Sequence, residues 1–285
     1  MSQGDTPIVH QRRLRSELRK LREEAQLTQK EVADSLDWSV SKVIRIENGT
    51  TNVGTTDLRA LLMLYGIDDK GHVEELVAEA RASRKTAWWS SYRASIDPQL
   101  YAFIGYEASA SRIRQYQSLT MPGLLQTSDY TTAMVRAVGG NDETISLGVA
   151  LRGKRQEIVA EGGPELRFLL HEAILRERLG GVEVMAAQLY RILEKMDLEN
   201  VSVRVLPYAV DKGKGWKGSF SILDIPVSGG EQILVLEEPV RDVLIRDNES
   251  SISEYDSDFE RLWGLAHDDD ETASFIRERI DDLNA

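Results

Sequence analysis

Apolar residues in the first third of the chain recur every three or four positions, a spacing that predicts amphipathic helices. The pattern gives a first helix at residues 10–25, with leucines on one face and arginines on the other. The same spacing predicts two later helices at residues 57–65 and 72–81. These helices carry enough leucine and valine to close a small core of their own.

Two more helices follow each other closely between Thr28 and Gly49. Thr28 and Glu31 have the spacing of a capping box, which begins a short second helix. Ser39 can cap the third helix, and Asn48 and Gly49 end it because both residue types tolerate a left-handed backbone. The first third of the chain is therefore predicted to hold five helices.

Strand-like alternation replaces the helical spacing after residue 165. One amphipathic helix at residues 183–196 interrupts the strands. The four strand-like runs lie at residues 166–172, 201–206, 219–225 and 232–237. Flanking helices are predicted at residues 98–117, 128–138, 144–160, 259–266 and 272–283. The fold class is therefore α+β, with an all-α N-terminal domain of five helices and a larger C-terminal domain with a four-stranded sheet and packed helices.

A polar hinge at residues 81–87 follows the fifth helix, and two adjacent tryptophans, Trp88 and Trp89, come next. A length of 285 residues suits two domains of ordinary size. We therefore predict an N-terminal domain at residues 1–83 and a C-terminal domain at residues 84–285. The aromatic residues after the hinge are interpreted as packing, with base stacking as the less favoured alternative, because acidic residues surround them.

The composition is that of a folded globular protein, because 41% of the residues are apolar and 29% are charged. No run approaches the roughly 18 apolar residues of a membrane helix, and the N-terminus lacks the apolar core of a signal peptide. We therefore expect a cytoplasmic protein without a membrane partner. The chain has no cysteine, and its four histidines have no ligand spacing, so disulfides and metal sites are not expected.

Charge is divided unequally along the chain, whose net charge is −12. Residues 10–49 hold nine basic and seven acidic side chains, a local balance of +2, while the remainder carries −14. Phosphate binding needs lysine and arginine on the contacting face. The unequal division is therefore typical of a chain in which one domain meets a polyanion and the other stays away from it.

The sequence from Leu27 to Gly49 resembles the helix-turn-helix domains of phage-repressor-type (Xre-like) regulators. The resemblance implies a double-stranded DNA operator as partner, with the third helix in the major groove. It implies base contacts by Val40, Ser41, Lys42 and Arg45, and phosphate contacts by Gln29, Ser39 and Asn48. Arg45 and Lys42 can donate to guanine, and Val40 can pack on a thymine methyl group. An ordinary helical bundle with a solvated basic face is the alternative.

Four further residues of this region bear on the same resemblance. Arg22 and Glu47 match a family pair that forms an ion bridge between the first helix and the end of the third. Trp38 and Ile44 stand where the family most often has small residues. We therefore expect a bulkier turn and a different tilt of the reading helix.

Several segments of the remaining chain carry a second resemblance; they lie at residues 121–130, 152–156, 172–175, 188–189, 203–207 and 218–220. Together they resemble the C-terminal domain of WhiJ-like regulators from filamentous actinobacteria. The resemblance implies a transcription regulator of development or secondary metabolism, with a small partner protein encoded nearby. It supplies no catalytic residues, and it is weaker at residues 212–217 and 247–258.

Other candidate chemistry is sparse. The glycine- and lysine-rich residues 212–218 lie between two strands, whereas a nucleotide-binding loop opens a helix, so a flexible hairpin loop is favoured over an anion or ligand lid. His171 and Glu172 are neighbours on a strand and point to opposite faces, which disfavours an acid/base pair. Acidic residues 247–258 and 268–271 are interpreted as solvated surface, with docking of a basic partner as the alternative. We expect no catalytic residues, no cofactor and no enzymatic activity.

These observations favour a transcription regulator that binds a palindromic or pseudo-palindromic operator as a homodimer. We expect the protein to be associated with the nucleoid when it is bound to DNA. The C-terminal domain would couple operator occupancy to a signal. One alternative is an antitoxin-like module that mainly sequesters a small partner protein and uses DNA binding for autoregulation. A second alternative is a ligand- or nucleotide-dependent enzyme fused to a DNA-binding domain, which requires a pocket with convergent polar groups.

Overall fold

The computed structural model describes residues 6–49, 51–211, 217–226, 230–237, 243–245 and 248–285. Two compact units divide the chain: Met1–Ser109 with Pro226–Glu231, and Ala110–Ile225 with Gln232–Ala285. Residues 212–216 of the predicted hairpin loop lie outside the described residues, as does residue 247 of the acidic segment. The predicted domains at residues 1–83 and 84–285 are meant as parts of the chain that fold separately, and their boundary stays a prediction.

The first unit begins with five helices, as the sequence predicts. They are α1 (Pro7–Glu24), α2 (Gln29–Ser35), α3 (Val40–Glu47), α4 (Thr55–Leu64) and α5 (Lys70–Ala82). All five supply buried apolar side chains to one core, and each leucine so buried stabilises the fold by about 2 kcal/mol. A short 3-10 helix (Trp88–Tyr92) and α6 (Pro98–Glu107) follow in the same unit.

The turn between α2 and α3 is closed by backbone hydrogen bonds. Asp37 has a φ of 55°, and the N–H of Trp38 donates to the carbonyl of Ala33 at 2.8 Å. This geometry is a Schellman cap, which normally places glycine at the left-handed position. The predicted capping box at the start of α2 is confirmed, because Thr28 and Glu31 each accept from the other's backbone N–H.

Helix α6 packs closely against α1. A Cβ atom added to Gly105 would lie 3.2 Å from Ile8, so the absence of a side chain allows the close approach. At the other end of the contact, the hydroxyl groups of Thr6 and Ser109 share a hydrogen bond. Residues up to Ser109 therefore belong to the first compact unit.

The second unit contains a mixed sheet. Its strands are β1 (Arg112–Gln117), β2 (Glu165–His171), β3 (Val201–Leu206), β4 (Phe220–Ile225), β5 (Glu231–Leu236) and β6 (Val243–Ile245). The strand order is β3-β2-β1-β4-β5-β6, with β1, β2 and β3 parallel and β4 antiparallel to β1. The predicted α+β class is confirmed, but six strands are present in the described part of the chain where four were predicted.

Six α-helices in the described part of this unit accompany the sheet: α7 (Ser128–Ala137), α8 (Asp142–Arg155), α9 (Glu172–Arg176), α10 (Val182–Met196), α11 (Glu249–Leu265) and α12 (Asp269–Asn284). The predictions for α7, α8, α10 and α12 are confirmed. Helix α11 begins ten residues earlier than the prediction, so most of the first acidic segment is helical. Its apolar side packs on the sheet through Ile252, Phe259 and Leu262.

The prediction of one helix at residues 98–117 is wrong in its second half. Helix α6 ends at Glu107, and β1 begins at Arg112. The alternation of β1 is hidden because its polar residues are buried as deeply as its apolar ones: Arg114 is 1% exposed and Gln117 is 2% exposed. Their partners lie far away in the sequence, and a local pattern does not reveal them.

Arg114 joins β1 to β4 and to α11. Its Nη2 lies 2.7 Å from Asp224 Oδ1, and its Nη1 bonds the carboxylate of Asp256 on α11. Burial lowers the pKa of the Arg114 guanidinium, and the Asp224 charge opposes that change. On the opposite face of β1, Gln117 donates to both carboxylate oxygens of Glu237 at 2.6 and 2.7 Å.

Two glutamines, Gln188, which is buried, and Gln156, which is half-buried, hold the segment that follows β1. Gln188 on α10 donates to the carbonyl of Leu125 at 2.8 Å and accepts from the N–H of Thr127 at 2.8 Å. Gln156 donates to the carbonyl of Gln126 at 2.8 Å. These bonds satisfy backbone carbonyl and N–H groups of a segment that lies outside the strands and helices. Segments that carry the WhiJ-like resemblance therefore have structural roles in this unit.

Replacing Gln188 by alanine should lower the free energy of unfolding by about 2–4 kcal/mol, because two buried backbone groups lose their partners. The side chain is 0% exposed, so bulk water does not replace those bonds. Urea unfolding followed by circular dichroism measures the change. Tyr190→Ala on the same helix is the control, since Tyr190 is 57% exposed. Equal losses in the two variants would contradict the assignment.

Candidate nucleic-acid interface

A buried ion pair fixes the end of α3 against α1. Arg22 Nε lies 2.6 Å from Glu47 Oε1, and Arg22 Nη2 lies 3.2 Å from Glu47 Oε2, so the contact is bidentate. The two side chains are 11% and 3% exposed. The hydrogen bond to Glu47 raises the pKa of Arg22 despite its desolvation, so the guanidinium stays charged. The pair restricts both the position and the rotation of the last turn of α3.

Gln29 belongs to the same buried cluster. Its Nε2 donates to Glu47 Oε2 at 2.8 Å, while Arg22 Nη1 donates to the carbonyl of Leu27 at 2.8 Å. Burial first, and the Glu47 charge second, raise the pKa of Tyr65, which therefore stays neutral beside them. The structure thus places the predicted phosphate-contacting Gln29 at the start of α2, half-buried, with one amide hydrogen directed to Glu47.

The outward side of α3 carries three of the four predicted base-contacting residues. Val40 is 38% exposed, and Ser41 and Arg45 are also exposed. Ile44, which is 37% exposed, lies among them. The inward side of the helix is formed by Val43, Ile46 and Glu47. The buried residues therefore determine which side chains α3 presents.

The two remaining predicted phosphate contacts lie at the ends of α3. Ser39 is the N-cap, and its Oγ accepts from the backbone N–H of Lys42 at 3.2 Å. Asn48 is the exposed C-cap, and its carbonyl accepts from Arg15 Nη1 at 3.1 Å. Both residues thus stabilise the helix on which the predicted base contacts lie.

Lys42, the fourth predicted base-contacting residue, is held to one side of α3. Its Nζ lies 2.9 Å from Asp57 Oδ2 on α4 and 3.6 Å from the centre of the Trp38 ring. The side chains of Lys42 and Asp57 are 34% and 36% exposed. The Asp57 carboxylate therefore competes with DNA for the Lys42 ammonium and partly neutralises its charge. Trp38, which departs from the family pattern, therefore contacts a predicted base reader.

Sequence reasoning did not assign Asp57 or Ile44 to this surface. Asp57 is distant from Lys42 in the sequence, and only the packing of α4 beside α3 brings the two together. For Ile44 a signal was present, because it follows Val40 by four positions, and residues so spaced share a helix face. The exposed face thus combines a hydroxyl, a guanidinium and two apolar side chains, with no carboxylate between Val40 and Arg45.

His171 and Glu172 have structural contacts in the second unit. His171 ends β2, and its Nδ1 accepts from the N–H of Ala173 at 3.2 Å. Glu172 accepts from the N–H of Tyr208 at 2.8 Å and from Arg176 at 2.6 Å. Burial opposes ionisation of Glu172, but these bonds outweigh it and lower its pKa. A carboxylate held in its charged form is a poor general acid.

The second unit also carries a candidate binding groove. A surface groove of about 570 Å³ between α7 and α10 has a largely apolar lining that includes Ala133, Leu179 and Val184. Within the described ranges, no three histidine, aspartate or glutamate side chains are arranged to hold a metal ion. None of the described helices combines the length and the apolar character that a membrane span requires.

Replacing Arg22 by methionine should lower the free energy of unfolding by about 3–5 kcal/mol, because the buried Glu47 carboxylate loses its charged partner. Urea unfolding of the full chain measures the loss. Arg59→Met is the matched control: Arg59 also lies 2.6 Å from a glutamate, Glu74, but those side chains are 48% and 60% exposed. The control should hardly change stability. A similar effect of both substitutions would show that burial does not decide the contribution.

Replacing Asp57 by asparagine should strengthen DNA binding several-fold, most of all for duplexes with guanine at the base that Lys42 reads, because Lys42 is released and a negative charge beside α3 is lost. The dependence of the binding constant on salt should also steepen, because a charge that repels the phosphates is removed. Fluorescence anisotropy over a salt series measures both effects. Asp68→Asn, which removes the same charge from an exposed residue, is the control. An equal gain in the control, or none in Asp57→Asn, would refute a specific restraint on Lys42.

Two family models match the chain. The model of the helix-turn-helix domain matches residues 13–76, which include α2, the turn and α3, and this match supports DNA binding by the first unit. The model described as a domain of unknown function (DUF5753) matches residues 100–278, more than half of the chain. Searches of curated proteins and of solved structures gave no match. The chain therefore belongs to the DUF5753 family and carries a helix-turn-helix domain before that region.

Proposed function

We propose that this protein is a sequence-specific transcription regulator that binds an operator with α3. The observation that carries the proposal is the exposed side of α3, which presents Val40, Ser41 and Arg45 while Arg22 and Glu47 fix the helix from beneath. An α-helix fits the major groove, where each base pair shows a distinct set of donors, acceptors and methyl groups. The family match to a helix-turn-helix domain supports the same conclusion.

The proposal includes a homodimer and a phage-repressor-like (Xre-like) mode of binding. One reading helix contacts only a few base pairs, and two-fold pairing of subunits doubles the site that is read. The operator is then palindromic or pseudo-palindromic, with half-sites one helical turn or a multiple of it apart. Gln29, Ser39 and Asn48 position the helix through phosphate contacts.

The second unit, in this proposal, receives a signal and has no catalytic role. Its likeness to WhiJ-like regulators supports a small partner protein as the source of that signal. The contacts of His171 and Glu172 support a structural role for both residues. The strongly acidic balance outside residues 10–49 supports DNA contact through the first unit alone.

The second candidate function is a partner-binding module that uses DNA binding for autoregulation. The largely apolar groove between α7 and α10 favours it, because such grooves accept apolar side chains of a partner. Titration calorimetry with the product of an adjacent gene separates the two candidates. Tight binding that leaves DNA affinity unchanged would favour the second candidate, and coupling between the two would favour a regulator.

Selection from random DNA duplexes with the full-length chain tests the leading proposal. Sequencing of the bound fraction should yield one enriched motif with two related half-sites. Analytical ultracentrifugation of the protein with that duplex should give two chains per duplex. Failure to enrich any sequence above the input pool would contradict the proposal.

Arg45→Ala should weaken binding to the selected site by about 1–3 kcal/mol and relax the preference at one base position. Gln29→Ala should instead weaken all sequences similarly, because a phosphate contact carries no sequence information. Gel-shift titrations against the selected site and its single-base variants measure both outcomes. An unchanged preference in Arg45→Ala, or a selective loss in Gln29→Ala, would reverse the roles assigned to these residues.

A further inference from the structure

We propose that Val40 and Ile44 form an apolar pair that reads thymine methyl groups, so that part of the sequence preference comes from burial of methyl groups. The inference rests on the proposed function and names the feature of the operator that this surface recognises. Ile44 is the new element, because a helix-turn-helix likeness alone assigns it no contact with a base.

The first argument is the exposure of these two side chains. Val40 and Ile44 are large apolar residues that are 38% and 37% exposed, while Val43 and Ile46 of the same helix are 2% and 5% exposed. An apolar residue at each end of one exposed turn is not needed for the core, which α3 already fills with its inward side. Single exposed apolar residues are ordinary on protein surfaces, so it is the position of this pair on the outward side of α3, four residues apart on one helix face, that points to a binding surface.

The second argument concerns the chemistry around the pair. Ser41 and Arg45 are exposed on the same side of α3, and the cation of Lys42 lies at its flank. A surface of this kind is complementary to a polyanion, and it is less suited to the apolar interface of a second copy of the chain. The thymine methyl group is the apolar feature that the major groove offers. The occupant that fits the pair is therefore duplex DNA with thymine in the half-site.

The third argument is geometric. Residues four positions apart on a helix have Cβ atoms about 5–6 Å apart, and successive base pairs are separated by about 3.4 Å. The two side chains can therefore meet methyl groups on two adjacent base pairs, or on two base pairs with one other base pair between them. Valine and isoleucine are also stiff at χ1 in a helix, so little rotamer freedom is lost when they contact a base.

Replacement of thymine by deoxyuridine tests the inference, because it removes the methyl group and leaves every hydrogen-bonding atom in place. The selected duplex is synthesised with one deoxyuridine at a time in the half-site, and its affinity for the full-length chain is measured. The unmodified chain should lose about fourfold in affinity at each of two positions, the effect of one buried methyl group. Those two positions should be adjacent or have one base pair between them.

The variant Ile44→Ala should bind the selected duplex more weakly and lose its sensitivity to deoxyuridine at one of the two positions. Val40→Ala should lose it at the other. A second variant, Ile44→Thr, keeps a β-branched side chain and is used if alanine changes the helix. Circular dichroism checks the fold of each variant. Met63→Ala is the matched control, since Met63 on α4 is 80% exposed and apolar but lies outside α3. It should keep the full response at both positions.

Three outcomes would overturn the inference. The first is a selected half-site without thymine, and the second is a deoxyuridine response that Ile44→Ala and Val40→Ala both retain. The third is a change in the oligomeric state of DNA-free Ile44→Ala with an unchanged deoxyuridine response, which would assign the pair to a protein interface. Failure of the proposed function is distinguishable from all three, because no motif would then be enriched.

Discussion

The carboxylate of Glu47 is almost removed from water, and the orientation of α3 depends on how its charge is satisfied. Arg22 from α1 and Gln29 from α2 both donate to it, so three helices meet at one buried anion. A buried charge without such partners costs several kcal/mol, which makes other orientations of α3 unfavourable. Because Val43, Ile46 and Glu47 face inward, the opposite side of α3, with Val40 and Ile44, faces outward.

The two compact units use buried polar groups for different purposes. In the first unit, the buried pair orients a surface that is itself exposed. In the second unit, Gln188 and Arg114 satisfy backbone and carboxylate groups within the fold. Gln188 lies in a segment with the WhiJ-like resemblance, whereas Arg114 and its partners Asp224 and Asp256 lie outside those segments, so both parts of the chain hold the second unit together. The proposed function is therefore assigned to the exposed side of α3.

The sequence predicted the features whose signals are local. The capping box of Thr28 and Glu31 and the leucine spacing of α1 lie within a few residues, so the helices of the first unit could be located. Strand β1 was missed because Arg114 and Gln117 are buried through partners more than 100 positions away. The restraint on Lys42 was missed for the same reason, since Asp57 reaches it only through the packing of α4 beside α3.

Methyl NMR of the full-length chain titrated with the selected duplex tests most directly whether the outer side of α3 meets DNA. The resonances of Val40 and Ile44 should shift strongly, while that of Met63, which is 80% exposed but lies on α4, should stay in place. Large shifts confined to other surfaces, with Val40 and Ile44 unchanged, would contradict the account.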